Sequence, residues 1–258
     1  ETQADVNEPD DKGKTALMHA SEYGITCSAR QLLDAKASLE AQNEDGDNAL
    51  MLAAIYGQED CMQLLIDAKA DLEAQSNDDS TALMLAAIHG KTDCVKCLVD
   101  ANADVNAQDA ETGWTALLLA IEKDKLECAK LLIKANANLE AKENTLGRNA
   151  LILAAGNGNI QCTQLLIDAR ANIDATDDVL GSTALISATE NGHPDCVELL
   201  IEARANLDVK DKEDKTALRR AAEDDQVECT QLLVTARADF RARDNDGVTA
   251  LEWVIMNG

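Results

Sequence analysis

The stretch Asn48-Ala49-Leu50-Met51-Leu52-Ala53-Ala54-Ile55-Tyr56-Gly57 decides the architecture. It opens on a side chain whose oxygen can accept an orphan backbone N–H. It closes on glycine, which takes the left-handed conformation at a helix end. Between them runs an apolar segment with small alanines, suited to close packing on both sides of a short helix. Its leucine, preceded by alanine, returns at Leu17, Leu50, Leu83, Leu117, Leu151, Leu185, Leu218 and Leu251, at intervals of 33, 33, 34, 34, 34, 33 and 33 residues. A fixed period of this length marks a repeat architecture. The opening residue recurs as Thr15, Asn48, Thr81, Thr115, Asn149, Thr183, Thr216 and Thr249. The closing glycine recurs as Gly24, Gly57, Gly90, Gly158 and Gly192, with Asp124 and Asp225 in its place at some local strain. A second apolar helix follows in each unit, with a step such as Leu64-Leu65-Ile66. Pro194 sits near the start of one copy, where a missing N–H costs nothing.

Each unit thus reads as two short helices and a turn, too short to persist alone and stable only when stacked on its neighbours. The expected fold class is all-α: a solenoid of stacked helix-turn-helix pairs, one array over 1–258. Full repeats span 10–42, 43–75, 76–108, 109–142, 143–176, 177–210 and 211–243, with a partial last repeat at 244–258. Residues 1–9 hold Ala4-Asp5-Val6-Asn7, which matches the tail Ala103-Asp104-Val105-Asn106. Both ends cut through a repeat, so the chain reads as a piece of a longer array.

The units resemble ankyrin repeats. The family pattern is, in outline, D-x-x-G-x-T-P-L-H-x-A-A-x-x-G, then a helix, then G-A-D-V-N-A. Asp244, Gly247, Thr249 and Leu251 match the first part, and Ala103-Asp104-Val105-Asn106-Ala107 the second. The family's proline is always alanine here, and its histidine is usually Met or Leu. The glycine before Ala-Asp is Lys36, Lys69, Asn102, Asn136, Arg170, Arg204 or Arg237. Asn tolerates positive φ, whereas Lys and Arg adopt it at a cost. The resemblance implies β-hairpin fingers projecting from the helix pairs, a concave groove lined by fingers and first helices, and a role in protein–protein binding.

Composition narrows the function further. The 258 residues are 46% hydrophobic but only 2% aromatic, so the core is built from aliphatic residues, alanine and cysteine. A net charge of -25 repels phosphate backbones and argues against nucleic acid. No apolar run of roughly 18 residues appears, so no direct membrane insertion is expected. There is no initiator Met and no signal-peptide pattern.

Cys61, Cys94, Cys128, Cys162, Cys196 and Cys229 share one repeated position on the second helix. Stacked repeats would hold them roughly 8–10 Å apart, too far for a disulfide. A column of small buried hydrophobes is the expectation, in a reducing, intracellular and most simply cytoplasmic setting. Cys94 and Cys97 form a CxxC with no second ligand pair, so packing outweighs zinc or redox chemistry. His19 aligns with core Leu52 and Leu85 and reads as a partly buried structural residue, His193 follows a helix-ending glycine, and His89 faces the expected groove. No nucleophile–base constellation and no phosphate loop recurs. Catalysis, metal and cofactor are therefore not expected.

Partner recognition is sought where exposed positions break the repeat. Five and six residues after the leucine stand Glu22-Tyr23, Ile55-Tyr56, Ile88-His89, Glu122-Lys123, Gly156-Asn157, Glu190-Asn191 and Glu223-Asp224. Tyr23 and Tyr56 are the only tyrosines, and Tyr is a low-entropy interface anchor. Trp114, Leu146 and Leu180 replace polar finger residues in the three lengthened repeats. The candidate partner-binding residues are Tyr23, Ile55, Tyr56, Ile88, His89, Trp114, Leu146, Leu180, Glu190, Glu223 and Asp224. The alternatives are that the tyrosines pack between repeats and that the finger residues fold back over longer hairpins. Trp253 aligns with core Leu52, and so does Arg220, preceded by Arg219, which suggests a loosened seventh repeat or a snorkelling stem. The expected function is a non-catalytic scaffold binding a protein segment in its groove. That segment would present an apolar anchor to the first repeats and basic residues to exposed Glu190, Glu223 and Asp224. The rivals are a regulatory module of a larger enzyme or channel and a structural spacer. Oligomeric state is left open.

Overall fold

The computed structural model describes residues 5–257; Ala4 of the N-terminal motif and Gly258 lie outside them. The chain divides into two compact units, Glu1–Ala137 and Asn138–Gly258. The first holds four helix pairs: α1 (Ala16–Glu22) with α2 (Thr26–Asp34), α3 (Ala49–Tyr56) with α4 (Glu59–Asp67), α5 (Ala82–Ile88) with α6 (Thr92–Asp100), and α7 (Ala116–Glu122) with α8 (Leu126–Lys134). The second holds α9 (Ala150–Gly156) with α10 (Ile160–Asp168), α11 (Ala184–Glu190) with α12 (Pro194–Glu202), α13 (Ala217–Glu223) with α14 (Val227–Thr235), and α15 (Ala250–Asn257). Within each unit first helices pack on first helices and second on second.

The local rules hold repeat by repeat. The Asn48 side chain accepts the Met51 N–H at 3.0 Å, and Thr15, Thr81, Thr115, Asn149, Thr183, Thr216 and Thr249 do the same for the residue three further on. Gly57 ends α3 at φ 75°, and Asp124 and Asp225 are driven to φ 51° and 53° at the same turn. Lys36, Lys69, Arg170, Arg204 and Arg237 occupy positive φ between 64° and 71° where the family places glycine. Pro194 is at the N-terminal start of α12. The leucine row is the core: Leu17, Leu50, Leu83 and Leu117 in the first unit and Leu151, Leu185 and Leu218 in the second are at most 3% exposed. Leu251 departs from the row at 60%, because no second helix lies over α15 among the described residues.

Two ladders of polar contacts join neighbouring repeats within a unit. Glu40 accepts the Asp71 N–H at 2.9 Å and Glu73 the Asp104 N–H at 2.8 Å. In the second unit Glu140, Asp174 and Asp208 accept from Asn172, Asn206 and Asp239. The fingers are tight hairpins whose pairing narrows to isolated bridges, such as Gln108 with Thr115. Each is braced by its first residue. The Asp177 carboxylate, for example, accepts N–H groups from Val179, Leu180, Gly181 and Ser182. The six aligned cysteines are buried. The Cys61 thiol reaches the Ala20 carbonyl at 3.6 Å, tying α4 to α1. Burial pushes the Cys94 thiol up to about 12, so it stays protonated and unreactive near neutral pH.

Candidate functional site

In the first unit the pattern-breaking residues cluster at the C-terminal ends of α1, α3 and α5. Tyr23 caps α1, its N–H on the His19 carbonyl at 3.1 Å, and Gly24 then turns the chain at φ 68°. Its ring is 67% exposed and lies parallel to the His19 imidazole, centroids 6.4 Å apart. The His19 Nε2 in turn stands 2.9 Å from Asp10 Oδ2, so this half-buried histidine braces its finger, the structural place expected for it. Tyr56, at the end of α3, is 47% exposed. Partial burial and the adjacent Glu22 carboxylate push its phenol up. Glu22 is itself held low, first by the hydrogen bond from Lys14 Nζ at 2.7 Å. Ile55 and Ile88 are half-buried and His89 is exposed. Both tyrosines therefore reach the surface, and Tyr56 also meets the preceding repeat through a hydrogen bond with the Glu22 carboxylate.

Trp114 is half-buried in its finger, with its carbonyl taking the Asp109 N–H at 3.1 Å. In the second unit Leu146 is half-buried and its carbonyl accepts from Asp178 and Val179 of the next finger. Leu180 is 44% exposed beside Val179 at 48%. The sequence reading missed Val179, although it stands next to Leu180 in the same lengthened finger.

The acidic end needs correction. Glu190 and Glu223 were expected as exposed charges, but both are half-buried and already engaged. Arg220 Nε stands 3.0 Å from Glu190 Oε1, its Nη2 stands 2.5 Å from Asp211 Oδ2, and Lys215 Nζ is 2.7 Å from Glu223. Burial, reinforced by Asp211 and Asp224, pushes Glu190 up to about 6 against the pull of Arg220. Only Asp224 remains exposed. The truly buried arginine is Arg219, 3% exposed, paired with Asp244 at 3.0 Å and lying 4.1 Å over the Trp253 ring. Trp253 is accordingly half-covered rather than a full core residue. Arg220 does not snorkel: its side chain is only 15% exposed and its head is held by the Asp211, Glu190, Glu213 and Glu223 carboxylates.

A column two residues beyond the tyrosines was also missed: Ile25, Gln58, Lys91 and Lys125, each eight residues after its leucine. Ile25 is 49% exposed, and the Gln58 side chain donates to the Glu22 carbonyl at 3.1 Å. No group of three or more His, Cys, Asp or Glu is arranged to hold a metal among the described residues, and no described helix is long and apolar enough to cross a membrane.

The family pattern described as ankyrin repeats (3 copies) matches residues 2–76, 68–143 and 135–211, and that described as ankyrin repeats (many copies) matches 191–234. The chain belongs to the ankyrin-repeat family. No curated protein matches it. Ankyrin repeats are protein–protein interaction modules, and ankyrin-repeat proteins are typically non-catalytic.

Proposed function

We propose that this ankyrin-repeat chain is a non-catalytic scaffold that binds a partner protein segment along the face bearing Tyr23, Ile55, Tyr56, Ile88 and His89. The observation that carries this is the placement of both of the chain's tyrosines, 67% and 47% exposed, at the same register position of adjacent repeats. Large rigid side chains left in water in a chain with 2% aromatics favour binding over folding. A pre-stacked helix array loses little conformational freedom when a segment docks on it. Trp114 in the first unit, and Leu146 and Leu180 in the second, offer further apolar contacts at the fingers. Asp224 is the exposed acid that remains for a basic residue of the partner, with Glu190 and Glu223 contributing field from behind their ion pairs. The buried, protonated cysteine column favours a reducing, intracellular setting.

The test is affinity capture of the partner from the source cell, mapping of the bound segment, and its titration against Tyr23→Ala and Tyr56→Ala. Each substitution is expected to weaken binding about 30-fold, roughly 2 kcal/mol, with the unfolding midpoint unchanged. Undiminished affinity in both variants would place the partner elsewhere and end the proposal.

A further inference from the structure

We infer that the first unit selects a segment with an acidic side chain beside its apolar anchor, the anchor seating on Tyr23, Ile25 and Tyr56 and the acid on Lys91, Lys123 and Lys125. This rests on the proposal that the tyrosine face is where a partner segment lies. Two adjacent columns run along that face: Tyr23, Tyr56, His89, Lys123 and Ile25, Gln58, Lys91, Lys125. Along the first, Tyr23 and Tyr56 give way to His89 and then Lys123; along the second, Ile25 gives way through the polar Gln58 to Lys91 and Lys125.

The lysines are placed by the fold. A methyl group built on Gly57 would meet Lys91 Cδ at 2.9 Å, and one on Gly90 would meet Lys125 Cδ at 2.9 Å. Each lysine stem is therefore laid across the helix-ending glycine of the preceding repeat, directly after Tyr56 in one case and His89 in the other. His89 registers their proximity: burial, then Lys91 and Lys125, hold its pKa below the usual histidine range.

These cations are also available to a partner. Of the other lysines in the unit, Lys14 pairs with Glu22 at 2.7 Å and Lys130 with Glu127 at 2.6 Å, while Lys12, Lys36, Lys69, Lys96 and Lys134 lie outside the ion pairs found among the described residues. Among the described residues Lys91, Lys123 and Lys125 have no carboxylate within ion-pair distance, in a chain with 48 Asp and Glu. Net charge points to a basic partner, but the Debye length is about 8 Å at physiological salt, so near charges outweigh the total. A nucleic acid would meet the lysines too, yet its next phosphates would fall on the acidic remainder of the surface.

A genetically encoded library of random twelve-residue peptides, selected against the full chain in about 150 mM salt, tests this. The wild-type protein is expected to enrich Leu, Phe or Trp together with Asp or Glu. The triple variant Lys91→Glu, Lys123→Glu, Lys125→Glu is expected to enrich Lys or Arg instead, and to bind the wild-type winners at least tenfold more weakly. NMR titration of His89 should show its pKa rising when an acidic winner binds. Basic or uncharged winners, or winners indifferent to the triple reversal, overturn the inference, as does tighter binding of a twelve-nucleotide poly-dT. Winners weakened by Tyr23→Ala and Tyr56→Ala but not by the reversal sink this inference alone. Winners indifferent to both tyrosines, or no winners, sink the underlying proposal as well.

Discussion

The helices α3 and α13 occupy the same place in their repeats and are held there by different physics. α3 buries Ala49 to Ala54 in an unbroken apolar run. α13 puts Arg219 and Arg220 where α3 has Met51 and Leu52. Met51 is held by contact alone and tolerates any close-packed neighbour. Arg219 is held by Asp244, itself 6% exposed, and by the face of Trp253. The fold accepts a charge at a core register when a counter-ion and a ring come with it, although Arg219 Nη1 and Glu223 Oε2, 3.6 Å apart, are buried without a hydrogen-bond partner among the described residues. What changes is conditionality: apolar burial persists across pH, while the ionic arrangement depends on each partner keeping its charge.

The sharpest break of this comparison is Asp244→Ala. It leaves the Arg219 guanidinium buried without its counter-ion and removes the acceptor for the Asp246 and Val248 N–H groups. Losing one member of a buried pair costs about 3–5 kcal/mol. Urea unfolding followed at Trp253 reads it, and a loss under about 1 kcal/mol would show that the pair does not hold α13. The double variant Arg219→Met, Asp244→Asn, which removes both charges together, is expected within about 1 kcal/mol of wild type. In α3 the matching experiment is Leu50→Ala, expected to cost about 3 kcal/mol through a cavity. Followed at Trp114, that cost should not vary between pH 5 and 7.5. A pH-dependent cost would mean that the apolar stack is less independent of charge than it looks.

The repeat, its caps and its left-handed turns were legible because they are local: a cap is set three residues away, a turn by one glycine. The solenoid class followed from the period. The burial of the two arginines was not legible. Alignment placed Arg220 against core Leu52, yet that register lies at the core boundary, where Leu85 and Leu119 are also only half-buried. Arg219 found its partner 25 residues on, a choice no periodicity encodes. Glu190 and Glu223 looked exposed for the same reason, since their cations arrive from α13 and its finger. The lysine column was in plain register eight residues after the leucine. Its meaning needed the stems lying over Gly57 and Gly90.

The smallest effect separates the two units by sign. In the second, Glu190 has its folded pKa raised to about 6, above its ordinary value of 4.5. Between those values the folded state binds more protons, so acidification from pH 7.5 to 5 stabilises it. The shift sets a ceiling of about 2 kcal/mol, and partial exposure with solvent screening brings the expected gain to about 1 kcal/mol. Asp244 and Glu213, whose pKa values are lowered, oppose this only at still lower pH, where their protonation removes stability. In the first unit His89 runs the other way: its folded pKa is lowered, so stability present at neutral pH is lost as pH falls below the ordinary histidine range, while Asp47, whose pKa burial raises, acts in the opposite sense closer to the ordinary carboxylate range. Because the chain has two tryptophans, one per unit, Trp253→Phe and Trp114→Phe leave each unit its own reporter. Urea midpoints read at Trp253 should rise between pH 7.5 and 5, while those read at Trp114 should fall slightly. Glu190→Gln should abolish the rise and leave Trp114 unaffected. Parallel slopes in both reporters, or a rise that survives Glu190→Gln, would show that Glu190 does not set the acid response of the second unit.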